Sequence, residues 1–238
     1  MAILEIRHVS KFFGGLAANS DVSFELAEGM VMGLIGPNGA GKTTLFNCIT
    51  GYYPPSTGEV IFAGRRMNGL QPNRVCKLGM VRTWQKVRPL TNLSVLDNVI
   101  VGALCRTNSV KRAGDIAAEQ LRLVRLDHKN ALAAGALPIG ERKKLEVARV
   151  LATKPKLLLL DEVMGGLNPA ESEEIIRLIL DIRRAGITQM VIEHDMKAIM
   201  RLSDRIVVLN SGAKLAEGPP EEIVRDPRVI EAYLGPGE

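Results

Sequence analysis

The chain has 238 residues, of which 46% are hydrophobic and 24% charged. That balance suits one globular domain with a modest insert, and it excludes a disordered chain, a disulfide scaffold and a fibrous repeat. Lys plus Arg number 31 against 26 Asp plus Glu, a formal charge of +5, and aromatics are only 4%. The mild excess fits contact with a polyanion or an anionic surface, while so few aromatics argue against a stacking platform for single-stranded nucleic acid. No uncharged apolar run reaches the ~20 residues of a membrane-spanning helix. The opening stretch, Met1 to Arg7, lacks the basic-then-apolar plan of a signal peptide. Cys48, Cys76 and Cys105 are far apart in sequence and read as reduced, packed thiols with no metal or disulfide role.

Strand-like and helix-like segments alternate along the chain, which predicts an α/β fold. Residues 21–26 alternate apolar and polar, as a half-buried strand does. Residues 30–35 are continuously apolar, as a central buried strand is. The stretch 58–63 predicts a strand of a smaller antiparallel sheet near the N-terminus. From about Lys86 to Lys154 no strand is expected. Helical spacing covers Leu93 to Leu104 and Ala117 to Leu126, and 131–136 is ambiguous. A helix over Glu141 to Thr153 would bury Leu145, Ala148, Leu151 and Ala152. After Leu157–Leu160, another buried strand, a helix over Ala170 to Arg184 would bury Ile175, Leu178, Ile179 and Ile182. Its first turns carry Glu171, Glu173 and Glu174, where the helix dipole favours acids. Gln189–Ile192 and Ile206–Leu209 complete the buried strands.

The chemistry begins at Gly36-Pro37-Asn38-Gly39-Ala40-Gly41-Lys42-Thr43, a phosphate-binding loop pattern between a buried strand and a helix opening at Thr44. Backbone amides there can curl around a β-phosphate, and the helix N-terminus adds partial positive charge. Lys42 can reach the β- and γ-phosphates, and the Thr43 hydroxyl can hold Mg²⁺. Asp161 and Glu162 end a buried strand, where open α/β sheets place their ligands. Asp161 suits Mg²⁺, and Glu162 suits the base that polarises the attacking water. His194 follows another buried strand and could hydrogen-bond the γ-phosphate and hold that water. Gln85, where the insert begins, could ligate Mg²⁺ through its amide and report movement of the segment beyond it. His8 and His128 have no such setting.

These pieces, in this order, resemble the ATP-binding subunits of ABC transporters. The finer similarity is to the subfamily serving branched-chain (hydrophobic) amino-acid importers, through Lys11–Leu16, Leu45–Gly51, Val81–Gln85, Gly166–Pro169 and Pro227–Gly235. The resemblance implies one P-loop ATPase domain over 1–238, with an N-terminal antiparallel β subdomain and a helical subdomain at 86–154 inserted in the core. It implies that Phe13 stacks on adenine, with Phe12 as the alternative. It also implies that Leu137-Pro138-Ile139-Gly140-Glu141 is the family signature, and that Gly165-Gly166-Leu167-Asn168 is the turn crossing a dimer interface. Pro138 stands where a Ser usually gives a hydroxyl to the γ-phosphate, one charge-assisted bond of about 1.5–3 kcal/mol. Glu141 adds negative charge near the anion, so weaker γ-phosphate capture is expected.

The same resemblance implies a head-to-tail pair, with an identical chain or a paralogue, each ATP lying between Lys42, Asp161, Glu162 and His194 of one subunit and 138–141 of the other. It implies transmembrane permease partners whose cytoplasmic helix docks near 86–92, an extracytoplasmic solute-binding protein acting indirectly, and a peripheral place on the cytoplasmic membrane face. ATP and Mg²⁺ would be the ligands, and no nucleic acid is expected. The alternatives are a cassette for another transporter, such as a urea/amide importer or lipid exporter, or a non-transport ABC ATPase working on DNA or ribosomes. The last usually carries two cassettes or a long coiled-coil insert. A P-loop kinase or GTPase would not need the signature or His194, and a GTPase would want an Asn-Lys-x-Asp base reader, which is absent.

Overall fold

The computed structural model describes residues 1–85 and 89–234. Lys86, Val87 and Arg88 of the expected docking stretch, and Gly235 of the subfamily-like C-terminal stretch, lie outside the described residues.

The N-terminal third builds a four-stranded antiparallel sheet in the order β2-β1-β4-β5. Its strands are β1 (Ala2–Phe13), β2 (Leu16–Ala27), β4 (Thr57–Phe62) and β5 (Arg65–Arg66). β1 and β2 form a hairpin whose ends pair Phe13 with Leu16. The sequence pattern foresees only the last half of β2 and does not announce β1. A register shift between Ile6 and Val9, with His8 at φ 51°, breaks the alternation that would have marked it.

The buried apolar runs become a six-stranded sheet in the order β10-β9-β3-β8-β7-β6. Four of its strands are the expected ones, namely β3 (Val31–Ile35), β7 (Leu157–Asp161), β8 (Thr188–Ile192) and β9 (Arg205–Asn210). Every residue of β3, β7 and β8 is buried. The edge strands β6 (Met80–Arg82) and β10 (Ala213–Gly218) were not expected. One is very short, and the other has Leu215 as its one large apolar residue, between Lys214 and Glu217. β10 is antiparallel to β9, and the rest of the sheet is parallel. The parallel strands therefore deliver their C-terminal ends to one edge, which is where such sheets bind ligands.

Helices cover both faces, and each face has its own apolar cluster. α1 (Lys42–Ile49) and α2 (Pro72–Leu78) come before β6. Between Arg82 and Leu157 the described residues hold no strand; they form α3 (Val95–Ala103), α4 (Val110–Leu123), α5 (Ile139–Leu151) and two 3-10 turns, Asp127–Lys129 and Ala134–Ala136. α4 starts earlier than its periodicity suggests, because Ser109 caps a polar first turn. Leu145, Ala148, Leu151 and Ala152 are all buried. α6 (Pro169–Arg184) opens with Asn168 and Glu171 in a reciprocal capping box, and it buries Ile175, Leu178, Ile179 and Ile182. α7 (Met196–Leu202), α8 (Pro220–Ile223) and α9 (Pro227–Leu234) finish the chain. Glu174 pairs with Lys144 on α5, and Glu173 with Arg201 on α7, so acids suited to the dipole also tie α6 to its neighbours.

Candidate functional site

The loop after β3 turns into α1 with two glycines that nothing else could replace. At Gly36, φ is 149°, and a Cβ would lie 2.1 Å from the Leu209 carbonyl. At Gly41, φ is 96°, and a Cβ would lie 2.3 Å from the Ala18 carbonyl. The loop is thus wedged between β9 and β2. Buried Asn19 reinforces the wedge by donating to the Gly41 carbonyl at 3.2 Å. Lys42 donates to the carbonyls of Gly36 and Pro37 at 2.6 and 3.0 Å. Burial lowers its pKa, and Glu162 and then Asp161 oppose that shift. An ammonium bonded only to neutral carbonyls is ready to exchange them for an anion.

Asp161 closes β7 and is 1% exposed. Burial raises its pKa, and the adjacent Arg82 guanidinium pulls it back down. Arg82 holds Oδ2 at 2.6 Å, while Oδ1 is buried with no partner among the described residues. That orphaned oxygen, on the same site as the Thr43 hydroxyl, is what a hard cation with oxygen ligands requires. The donor set of Thr43, Asp161 and the Gln85 amide oxygen therefore fits Mg²⁺.

Glu162 follows with φ 50°, a left-handed backbone uncommon for Glu, of the kind that costs on the order of 1–3 kcal/mol and clusters at functional sites. Its amide is pinned to the Ile192 carbonyl at 2.9 Å. Its carboxylate is gripped from both sides. The Gln85 amide donates to Oε2 at 2.6 Å, and His194 Nε2 lies 2.9 Å from Oε1. Gln85, a sequence candidate for the metal, thus holds Glu162 through its amide nitrogen and lines one cavity with Thr43 and Asp161.

A cavity of about 510 Å³ gathers Phe13, Asn38 to Thr44, Glu162 and His194 in one place. Phe13 is 43% exposed and edge-packed on Tyr53 at 5.3 Å, with Lys11 Nζ 5.1 Å from its ring centre. Phe12 does not line this cavity. Sequence reasoning missed Leu16, Ala17, Ala18 and Ser211, which also line it. They are small or ordinary residues brought in by β2 and by the β9–β10 turn, and only tertiary pairing reveals them.

The signature is built otherwise. Pro138 caps α5 in an extended conformation, and its missing N–H is not needed there. Gly140 lies close against α6, since a Cβ would meet Glu171 Oε1 at 2.7 Å. None of Leu137, Pro138, Ile139, Gly140 or Glu141 lines the nucleotide cavity, and Ile139 is 47% exposed. Glu141 does not stand bare beside an incoming anion. Lys129 Nζ donates to both of its oxygens at 2.6 and 2.7 Å, which offsets the repulsion expected from sequence. Cys76 and Cys105, far apart in sequence, meet with their sulfurs 3.8 Å apart, and all three cysteines are free.

A phosphate loop, a buried acid ending one parallel strand and a base-bearing carboxylate beside a histidine define a P-loop nucleoside triphosphatase. The comparisons narrow the class. The family model described as ABC transporter matches residues 19–165, and one described as Branched-chain amino acid ATP-binding cassette transporter matches residues 213–235. The chain belongs to the ABC transporter family of ATP-hydrolysing subunits. It is 41% identical to the high-affinity branched-chain amino acid transport ATP-binding protein LivG of Salmonella typhimurium, covering 98% of each chain. It is equally similar, at 41% and 98% of each chain, to BraF of Pseudomonas aeruginosa, which bears the same description. Among solved structures, the ADP conformation of MJ1267, an ATP-binding cassette of an ABC transporter, superposes with a TM-score of 0.90 at 32% identity, over 99% of this chain and 100% of that one. A dimeric structure of the bacterial ABC transporter cassette MJ0796 superposes with a TM-score of 0.82 at 25% identity, over 91% of this chain and 98% of that one.

Proposed function

We propose that this chain powers the import of branched-chain or related hydrophobic amino acids, as a peripheral subunit on the cytoplasmic face of a membrane. It would hydrolyse ATP in a head-to-tail pair with a copy of itself or a paralogue, and it would act on permease subunits fed by an extracytoplasmic solute-binding protein. The observation that carries this reading is the split site. The carboxylate, histidine and phosphate loop share one cavity, while the signature residues stand outside it. An ATP held by the first set still presents its γ-phosphate to solvent, and the amides at the start of α5 of a second chain would complete the cage. The LivG and BraF relatives support the substrate class.

In this reading Phe13 stacks on the base, the 38–43 amides and Lys42 hold the phosphates, and Thr43, Gln85 and Asp161 hold Mg²⁺, which neutralises phosphate charge when bound. Glu162 takes a proton from water as the water oxygen attacks the γ-phosphorus. The bond to the β–γ bridging oxygen breaks, and ADP and phosphate leave. His194 and Gln85 fix the carboxylate so that it need not reorganise during the step. Loss of the bridging anion removes contacts made only in the closed pair, which shifts the population to the open state. The segment 86–154, whose described residues hold helices and no strand, is read as a subdomain that carries the signature and contributes to a docking cleft. Leu90 and Leu93, at 41% and 38% exposure, mark the described part of that cleft.

The test is co-expression with the membrane subunits encoded alongside. Purified complex should hydrolyse ATP faster when a receptor loaded with leucine is added. Leu90→Asp should leave the isolated subunit folded yet unable to co-purify with the permeases. Stimulation by a urea-loaded receptor or by lipid instead of leucine would move the chain to another transporter.

A further inference from the structure

Four consecutive residues leaving β6 each grip a different part of the site. Arg82 holds the Asp161 carboxylate. The Thr83 hydroxyl accepts from the Asp161 amide at 3.1 Å. The Trp84 amide donates to buried Glu146 of α5 at 2.9 Å, and Gln85 donates to Glu162. Arg82 makes the most contacts of the four. Its side chain is 6% exposed. One guanidinium nitrogen donates to Asp161 Oδ2 at 2.6 Å, another to Asn47 Oδ1 on α1 at 2.6 Å, and Nε to the Thr83 carbonyl at 3.3 Å. Its flat face lies 4.3 Å from the Trp84 ring centre. Trp84 is itself 45% exposed and packs edge-on against Tyr52 at 5.6 Å.

We infer that Arg82 is a positioning residue that orients Asp161 for the cation and ties that orientation to the surface ring of Trp84. The inference rests on the nucleotide reading above. A carboxylate at the end of a buried strand can rotate, and either oxygen could be offered to a cation. Arg82 occupies Oδ2, so Oδ1 is the oxygen left without a partner. A guanidinium sets this because its donors lie in a rigid plane, which an ammonium cannot reproduce. Stability alone is a weak reason for the pair, because a buried ion pair of this kind is often replaceable by apolar side chains at no loss. The guanidinium also sits over the Trp84 ring, its Cζ 4.3 Å from the ring centre, so displacement of the ring disturbs the fork on Asp161. One cavity of about 570 Å³ is lined by Thr43 and Asp161 and also by Arg82, Tyr52 and Trp84. A partner pressed onto Trp84 would thus act on the metal-binding acid through a single side chain.

Trp84 is the only tryptophan in the chain, so its fluorescence reports on this relay with no label. Protein saturated with a non-hydrolysable ATP analogue in EDTA should change its tryptophan emission when Mg²⁺ is then added in excess. Arg82→Lys keeps the buried charge and removes the planar fork. Calorimetry should show its affinity for the metal-free analogue within about twofold of wild type, its gain in affinity on adding Mg²⁺ cut about tenfold, and its emission response lost. An unchanged Mg²⁺ gain in Arg82→Lys, or wild-type emission that ignores Mg²⁺ while calorimetry shows it bound, overturns the role of Arg82 and leaves the nucleotide reading standing. If Arg82→Lys fails to fold, the wild-type emission arm decides alone. Wild-type protein that binds no analogue with or without Mg²⁺ instead refutes the nucleotide reading itself.

Discussion

The C-terminal edge of the parallel sheet and the first turn of α5 are the two regions that the proposed function sets against phosphate, and they are finished to different degrees. At the sheet edge the polar groups are largely committed. Lys42 is bonded to loop carbonyls, Glu162 is held between Gln85 and His194, and Asp161 is held by Arg82. At the start of α5, Pro138 provides no side-chain cap, Ile139 faces outward, and the turn lies outside the nucleotide cavity. Helix N-termini leave amides that need a partner. In the proposed function the first region binds a nucleotide by itself, and the second contributes to the nucleotide of a second chain. A site divided this way makes association depend on the ligand, since the ligand satisfies both halves at once.

The largest effect should come from breaking the finished half. Lys42→Ala removes charge-assisted bonds worth about 1.5–3 kcal/mol each, and nucleotide affinity should fall by about a hundredfold or more in a fluorescent-nucleotide titration. A smaller effect should come from the other half. Lys129→Met strips the neutralising partner from Glu141 and restores repulsion toward the γ-phosphate. Nucleotide affinity of the single chain should stay within about twofold, while the ATP concentration needed to form pairs rises about fivefold. Equal loss in both assays would mean that the two halves are not separate.

The smallest effect concerns the support behind His194. Burial pushes the Glu193 carboxyl up to about 7, against the Met164 amide and Lys143, which pull it down. Its folded pKa lies above its unfolded value, so the chain loses stability as pH rises from about 4.5 to about 7, and the deficit is complete above that window. Glu193→Gln keeps an oxygen for the Met164 amide and removes the deficit. It should raise Tm by roughly 4 °C at pH 8 and leave it unchanged at pH 4. An equal rise at both would contradict the assignment.

How much of this was legible in the sequence depends on how local each feature is. The phosphate loop, the Asp161–Glu162 strand end and His194 could be read because short-range pattern dictates both their conformation and their chemistry. The buried strands β3, β7, β8 and β9 were legible as unbroken apolar runs. β1 was hidden by a bulge, β6 by its brevity, and β10 by its lack of a run of large apolar residues. Asn19, Ala18 and Ser211 reach the site only through strand pairing, and Lys129 meets Glu141 only through the packing of a 3-10 turn on α5. In the sequence Arg82 is one charged residue among many, in a stretch that announces no strand. Its meaning came from four partners that no spacing along the chain announces.

The central claim is that nucleotide, and not a preformed interface, joins two such chains. Glu162→Gln removes the proposed general base, an expected loss of about 10²–10⁴-fold in hydrolysis, while keeping the phosphate loop intact. Measured by size exclusion with light scattering, this variant should have the mass of one chain without nucleotide and of two with ATP and Mg²⁺. A single-chain mass at saturating ATP and Mg²⁺, or hydrolysis at the wild-type rate, would contradict the account.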